Sequence, residues 1–191
     1  MSDPLGIRAD IDPRHQATFS LRNRIGRVAW QVAWSLLGRW TPRPFHGWRR
    51  AVLRAFGARI GRGAHLYPGV KIWAPWNLIV GERTGIADGV TLYSMAAIEI
   101  GADAVISQGA HLCTGSHDYT DPAFRLIARP IRIGARAWVC AEAFVGPGVS
   151  IGEGAVLGAR AVTFRDLAAW TIHAGNPAGL VKRREMKASP S

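Results

Sequence analysis

The sequence predicts an all-β solenoid, a parallel β-helix of six-residue repeats, preceded by an α-helical segment. Three observations carry that prediction. An aliphatic residue recurs every six positions at Ile60, Leu66 and Ile72, at Val80, Ile86 and Leu92, at Ile100, Ile106 and Leu112, and at Ile133, Val139, Val145, Ile151 and Leu157. The residue four places after each is Ala, Val, Ser or Thr, with Trp76 the one exception. Glycine is abundant, 22 in 191 residues, as a chain with a tight corner in every repeat requires. A six-residue period marks a β-helix with one short strand per repeat and three repeats per coil. The aliphatic side chain points inward and stacks on its equivalents, and the small residue turns in near a corner. Such coils bury their core only against one another, so they are stable as a stack.

Residues 1–58 precede the repeat. Residues 1–62 hold 12 Arg and 3 Asp, a charge of +9, whereas the rest of the chain contributes only +2 of the total +11. Residues 1–18 lack an apolar core, so no secretory leader is expected. Over 19–38 the spacing is helical, with Leu21, Ile25, Val28, Val32 and Leu36 in one stripe and Trp30, Trp34 and Leu37 beside it. Pro42 and Pro44 stop that helix, and a second, at about 46–56, carries Trp48, Val52, Leu53 and Phe56. The apolar run at 28–37 is too short to span a bilayer. Two readings of this segment stand: a cap on the open end of the solenoid, or a peripheral membrane contact through residues 19–56. Nucleic acid is not expected as a partner, because the arginines alternate with apolar residues and no binding motif accompanies them.

The solenoid is expected over 59–168. Its register breaks after the third repeat of a coil, where the spacing grows from six to eight residues at Ile72–Val80 and Leu92–Ile100 and to twenty-one at Leu112–Ile133. The added segments, including Leu78-Ile79 and Ile98-Glu99, should therefore gather at one corner, and insertions on one edge usually mark a binding edge. The longest, 118–132, reads as a loop standing off the corner. Residues 169–191 read as a C-terminal tail outside the repeat, ending in the basic run Lys182-Arg183-Arg184. Cys113 and Cys140 fall on different faces, so a disulfide is not expected and a cytoplasmic, reducing setting fits.

His117 precedes the longest insertion. An imidazole there, with Asp118 and Asp121 beside it, suits a general base near neutral pH; the plainer reading is a solvated corner residue. A metal is not expected. His65, His111 and His117 lie a repeat or more apart, and one ion could take them only with ligands from a neighbouring subunit. That leaves a non-catalytic scaffold or a metal-dependent β-helix enzyme as the alternative.

Four stretches carry a family likeness: Cys113-Thr-Gly-Ser-His-Asp-Tyr-Thr-Asp-Pro122, Ala137-Trp-Val139, Pro147-Gly-Val-Ser-Ile-Gly152 and Ala174-Gly-Asn-Pro-Ala178. With Phe19-Ser-Leu-Arg-Asn-Arg24, Trp40-Thr-Pro42 and Trp48-Arg-Arg50, the chain resembles the hexapeptide-repeat O-acetyltransferases over nearly its whole length. It is most similar to those of colanic-acid and exopolysaccharide biosynthesis, and is also similar to the maltose, galactoside and nodulation-factor enzymes. The resemblance implies a left-handed β-helix, a homotrimer with each site between neighbouring chains, acetyl-CoA as co-substrate and a saccharide acceptor. His117 is similar to the catalytic base. Trp138 matches the tryptophan of the coenzyme groove, and Ala141, Gly158 and Ala159 match small positions along the pantetheine arm. The family's Val-Thr-Lys-Asp ending reads Thr163-Phe164-Arg165-Asp166, which puts Arg165 in place of the lysine. Gly179 stands where an arginine is common, with Lys182 as its substitute. Asp118, Asp121 and Tyr93 are expected on the acceptor side. The Asn and Asp that hold free maltose or galactoside align near Ala87 and Met95, which argues against those acceptors.

Overall fold

A computed structural model of the chain describes residues 18–186. From Arg59 the chain winds as a parallel β-solenoid with three faces. The first face stacks the strands Arg59–Ile60, Leu78–Val80, Ile98–Ile100, Ile131–Ile133 and Ser150–Ile151. The second stacks His65–Leu66, Gly85–Ile86, Val105–Ile106, Trp138–Val139 and Val156–Leu157. Lys71–Ile72, Thr91–Tyr93, His111–Cys113, Phe144–Val145 and Val162–Thr163 make the third. Coil-to-coil register is strict, with Ile60 opposite Val80, Leu92 opposite Leu112 and Val139 opposite Leu157. All fourteen repeat aliphatics are buried, each contributing roughly 1.5–3 kcal/mol of gross burial. The small positions line the same core, from Ala64 and Val70 through Ala104 and Ala110 to Ala155 and Ala161.

Glycine follows every strand of the first face for a steric reason. A Cβ on Gly101 would lie 2.5 Å from the backbone nitrogen of Ala135 in the next coil, and one on Gly134 equally close to that of Glu153. Coils spaced by one backbone hydrogen bond leave no room there for a side chain.

The register breaks behave differently from the expectation. Leu78 and Ile98 are buried and lengthen the first-face strands to three residues, so the eight-residue spacings add strand there in place of a corner insertion. A single 3-10 turn at Pro75–Asn77 carries the chain round, and Trp76 points outward while Ala74 fills the core. The long insertion is not an irregular loop over 118–132. It is a β-hairpin of Gly115–His117 against Leu126–Ala128, with Ser116 paired to Ile127. Ile131 is already back in the solenoid, paired with Ile98 and fully buried. The chain after residue 168 adds one more parallel strand before it turns out of the repeat. Thr171–Ala174 adds to the second face beside Val156–Leu157, and Gly179–Arg183 returns antiparallel to it.

The helical segment covers the open end of the first coil. Helix α1 (Leu21–Ala33), N-capped by the Ser20 hydroxyl, runs into a π-helical turn at Trp34–Gly38; helix α2 (His46–Ala55) follows. No coil lies below the first one, so its carbonyls need donors. Side chains supply them. Trp30 Nε1 donates to Ile72 O (2.8 Å), Trp34 Nε1 to Val70 O (3.0 Å), Arg49 Nε to Leu66 O (2.6 Å), Arg50 to Ala64 O (2.9 Å) and Arg54 Nε to Ile60 O (3.0 Å). Arg49 is wholly buried and also donates to Thr41 Oγ1 and the carbonyls of Pro42 and Arg43. The cap reading holds, but through tryptophan and arginine; the aliphatic stripe of α1 takes no part in it.

Candidate active site

His117 ends the first strand of the hairpin, at the corner between the third and first faces. The hairpin can start there because residue 115 is glycine: a Cβ at that position would run into Met95 Sδ and sit 3.2 Å from Tyr93 Cε1. Below it, Thr114 is buried and its hydroxyl both donates to Tyr93 O (2.7 Å) and accepts from Ala96 N (3.0 Å). The base of the hairpin is thus pinned to the preceding coil.

The His117 ring is exposed and lies parallel to the Phe124 ring at 4.5 Å. Its Nδ1 is 2.8 Å from the Phe124 carbonyl oxygen. A carbonyl can only accept, so Nδ1 carries the proton and the lone pair of the neutral ring sits on Nε2. Phe124 itself has φ +51 in the tight turn. Asp118 accepts from Thr120 N and Oγ1 through Oδ1, and these bonds hold its carboxyl below the usual range. Asp121 accepts from Ala123 N and pairs with Arg125 at 3.4 Å. Both carboxylates therefore shape the turn that presents His117, and neither reaches the imidazole. Tyr93 stands one coil away, opposite Cys113 in register, at the foot of the hairpin. Burial pushes its phenol up, and burial likewise raises the Cys113 thiol.

The other expected site residues fall into two groups. Trp138 is on the second face, half-exposed, its Nε1 donating to Ser107 Oγ at 2.9 Å. Ala141 and the pair Gly158-Ala159 lie on the corner after that face in successive coils, linked through Arg160 N to Ala141 O (2.9 Å). Gly158 is held close to the last coil, where a Cβ would meet Ala174 Cβ and His173 O at 3.2 Å. Lys182 is exposed on the strand that extends the same face. Arg165 is elsewhere. It follows the last third-face strand, on the corner that bears His117 but two coils further along, roughly 10 Å at one strand spacing per coil. In a three-sided prism the second face lies across from that corner, so one chain keeps Trp138 and Lys182 apart from His117.

Sequence reasoning missed Phe124, whose contribution is a backbone carbonyl and a stacked ring in an irregular turn. It also missed Ser107, although the register of Val105 against Trp138 would have brought it to the indole. His65 stacks on His46 at 4.6 Å and His111 meets Phe144 edge-on at 5.3 Å. Among the described residues no three His, Cys, Asp or Glu side chains gather closely enough to hold a metal ion. Both cysteines are free.

No family model matches the chain. Individual proteins do. It is 42% identical over 162 residues to the colanic acid biosynthesis acetyltransferase WcaF of Escherichia coli K12, covering 85% of this chain and 89% of that one. It is 23% identical over 137 residues to the galactoside O-acetyltransferase of the same organism, covering 70% and 68%. Among solved structures, a galactoside acetyltransferase in complex with coenzyme A superposes with a TM-score of 0.80 at 19% identity, over 87% of this chain and 84% of that one. The Vibrio cholerae hexapeptide-repeat acetyltransferase VCA0836, complexed with acetyl coenzyme A, gives 0.79 at 23%, over 87% and 91%. These low identities speak for the fold. The identity to WcaF over most of both chains speaks for descent, and this chain belongs to the hexapeptide-repeat O-acetyltransferases, beside those of colanic acid biosynthesis.

Proposed function

We propose that this protein transfers the acetyl group of acetyl-CoA to a hydroxyl of a saccharide, an exopolysaccharide or lipid-linked precursor, with His117 as general base. The observation that carries the reading is the Nδ1 contact to Phe124 O, which leaves the Nε2 lone pair free on an exposed edge. The acceptor oxygen attacks the thioester carbonyl carbon while its proton passes to Nε2. The tetrahedral intermediate then collapses by breaking the C–S bond, and the departing thiolate takes that proton as free CoA. No acyl-enzyme is needed.

Trp138, Ala141, Gly158, Ala159 and Lys182 make the coenzyme groove in this reading, and Tyr93 walls the acceptor side. Asp118 and Asp121 act by holding the turn. Because the two groups lie on opposite sides of one solenoid, the working site is formed between neighbouring chains of a homotrimer, and Arg165 reaches the coenzyme from the His117 side. The setting is the cytoplasm, where acetyl-CoA is made.

Thiol release from acetyl-CoA, followed with a saccharide acceptor in wild type and in His117→Ala, tests this. Loss of a general base costs ~10²–10⁴-fold in rate. The variant should keep its circular dichroism and melting profile while turnover falls by that order. A near-normal kcat in the folded variant would reduce His117 to a surface residue.

A further inference from the structure

We propose that helix α1 seats the enzyme on an anionic lipid bilayer. The helix docks on the solenoid by Trp30, which is 1% exposed, and by Trp34. At 100° per residue, Leu21, Ile25, Val28 and Val32 all fall on the opposite side of the axis, and Leu36 in the π-helical turn is exposed with them. They are exposed accordingly, Val28 at 62% and Leu36 at 69%. An aliphatic ridge facing away from the solenoid has no packing role among the described residues. Arg22 flanks it on one side and Arg24 on the other, both exposed, and neither forms an ion pair among the described residues, nor does Arg39 at the far end. Trp40, 83% exposed, and Trp48, whose Nε1 donates to Leu37 O at 2.7 Å, continue the surface beyond the helix. An apolar ridge between cations, with indoles at its end, suits the headgroup boundary of an anionic membrane.

Charge decides between that occupant and a second copy. Arg22, Arg24 and Arg39 beside the ridge have no acidic partner among the described residues, and residues 18–62 contain no acidic residue, so a ridge-to-ridge pairing would bring like charges together, whereas anionic headgroups neutralise them. No helix among the described residues is long and apolar enough to cross a membrane, so the contact is peripheral.

The ridge helix is also tied to the candidate active site. Its Arg27 guanidinium lies over the rings of Phe19 (5.0 Å) and Trp73 (4.4 Å), and Trp73 meets Tyr93 at 5.9 Å at the foot of the His117 hairpin. A seated helix thus holds the acceptor edge near the bilayer, which selects an acceptor carried on lipid. That last step rests on the acetyltransferase reading; the bilayer contact does not.

Sedimentation of the full chain with phosphatidylcholine vesicles, with and without about 30% phosphatidylglycerol, tests the contact without any activity measurement. The wild type should pellet with anionic vesicles only and release at about 0.5 M salt, where charges are screened within a few ångströms. Arg22→Gln/Arg24→Gln should lower the partition coefficient by about fivefold per arginine. Val28→Ser/Val32→Ser should lower it on the order of tenfold or more, with melting profile and turnover of a soluble acceptor unchanged. Wild-type protein that stays in solution with anionic vesicles overturns the proposal. So does equal pelleting of both variants. A fall in the solution mass of Val28→Ser/Val32→Ser overturns it as well, by making the ridge a contact between chains. If vesicle binding stands while acetyl transfer fails, the seat survives and the acceptor assignment does not.

Discussion

The imidazole of His117 is held by one residue in two ways, its Nδ1 2.8 Å from the carbonyl of Phe124 and its ring parallel to the Phe124 ring at 4.5 Å. The carbonyl sets the tautomer and the ring sets the plane, so Nε2 keeps one direction. Phe124→Gly removes the ring and keeps the left-handed backbone at that position. We expect kcat to fall about tenfold, since misorientation of a base loses part of its ~10²–10⁴-fold contribution, while KM for acetyl-CoA stays. An unchanged kcat would show that the carbonyl alone orients the base.

Trp138 and His117 lie on opposite sides of the prism. Chains carrying His117→Ala and chains carrying Trp138→Ala, refolded together, should then recover activity that neither has alone, because some interfaces hold both native residues. Recovery should track the statistical fraction of such interfaces. No recovery at any mixing ratio would mean that each site is built within one chain.

The cap makes a stability prediction. Trp30→Phe retains the ring but leaves Ile72 O without its donor, and an orphaned buried carbonyl costs about 1–3 kcal/mol. Arg49→Met is expected to be worse, at about 3 kcal/mol or more, because the buried guanidinium's bonds to Leu66 O, Thr41 Oγ1, Pro42 O and Arg43 O are all lost together. Urea unfolding of the two variants gives both values, and the reverse order would put the strength of the cap in the tryptophans.

His46 gives the cap a pH dependence. Burial chiefly, with Arg49, His65 and Arg50 adding to it, lowers its pKa below the ordinary 6.5, against an opposing contribution from Leu66 O. A depressed folded pKa means that the unfolded chain binds the proton more readily, so the contribution is complete above pH ~6.5 and is lost as pH falls through the folded value. Between pH 7.5 and 5.5 the wild type should therefore lose more melting temperature than His46→Gln. Equal losses would remove His46 from the acid sensitivity of the fold.

The sequence alone determined the solenoid, because each repeat buries one aliphatic side chain at a fixed period and nothing distant can alter that period. It also placed His117 beside the insertion, since insertions are read directly as breaks in register, although the hairpin starts at Gly115 and carries His117 at the turn end of its first strand. The tertiary structure decided what each break does: whether the extra residues lengthen a buried strand, as at Leu78 and Ile98, or leave as a hairpin, as at Gly115. It decided the direction of α1 too. A helix with aliphatic residues along one side and tryptophans beside them could dock by either, and periodicity gives no preference. The carbonyls of the first coil do: Ile72 O and Val70 O need N–H donors, an indole has one, and a leucine does not. The tryptophans therefore turn inward and the aliphatic ridge is left outside.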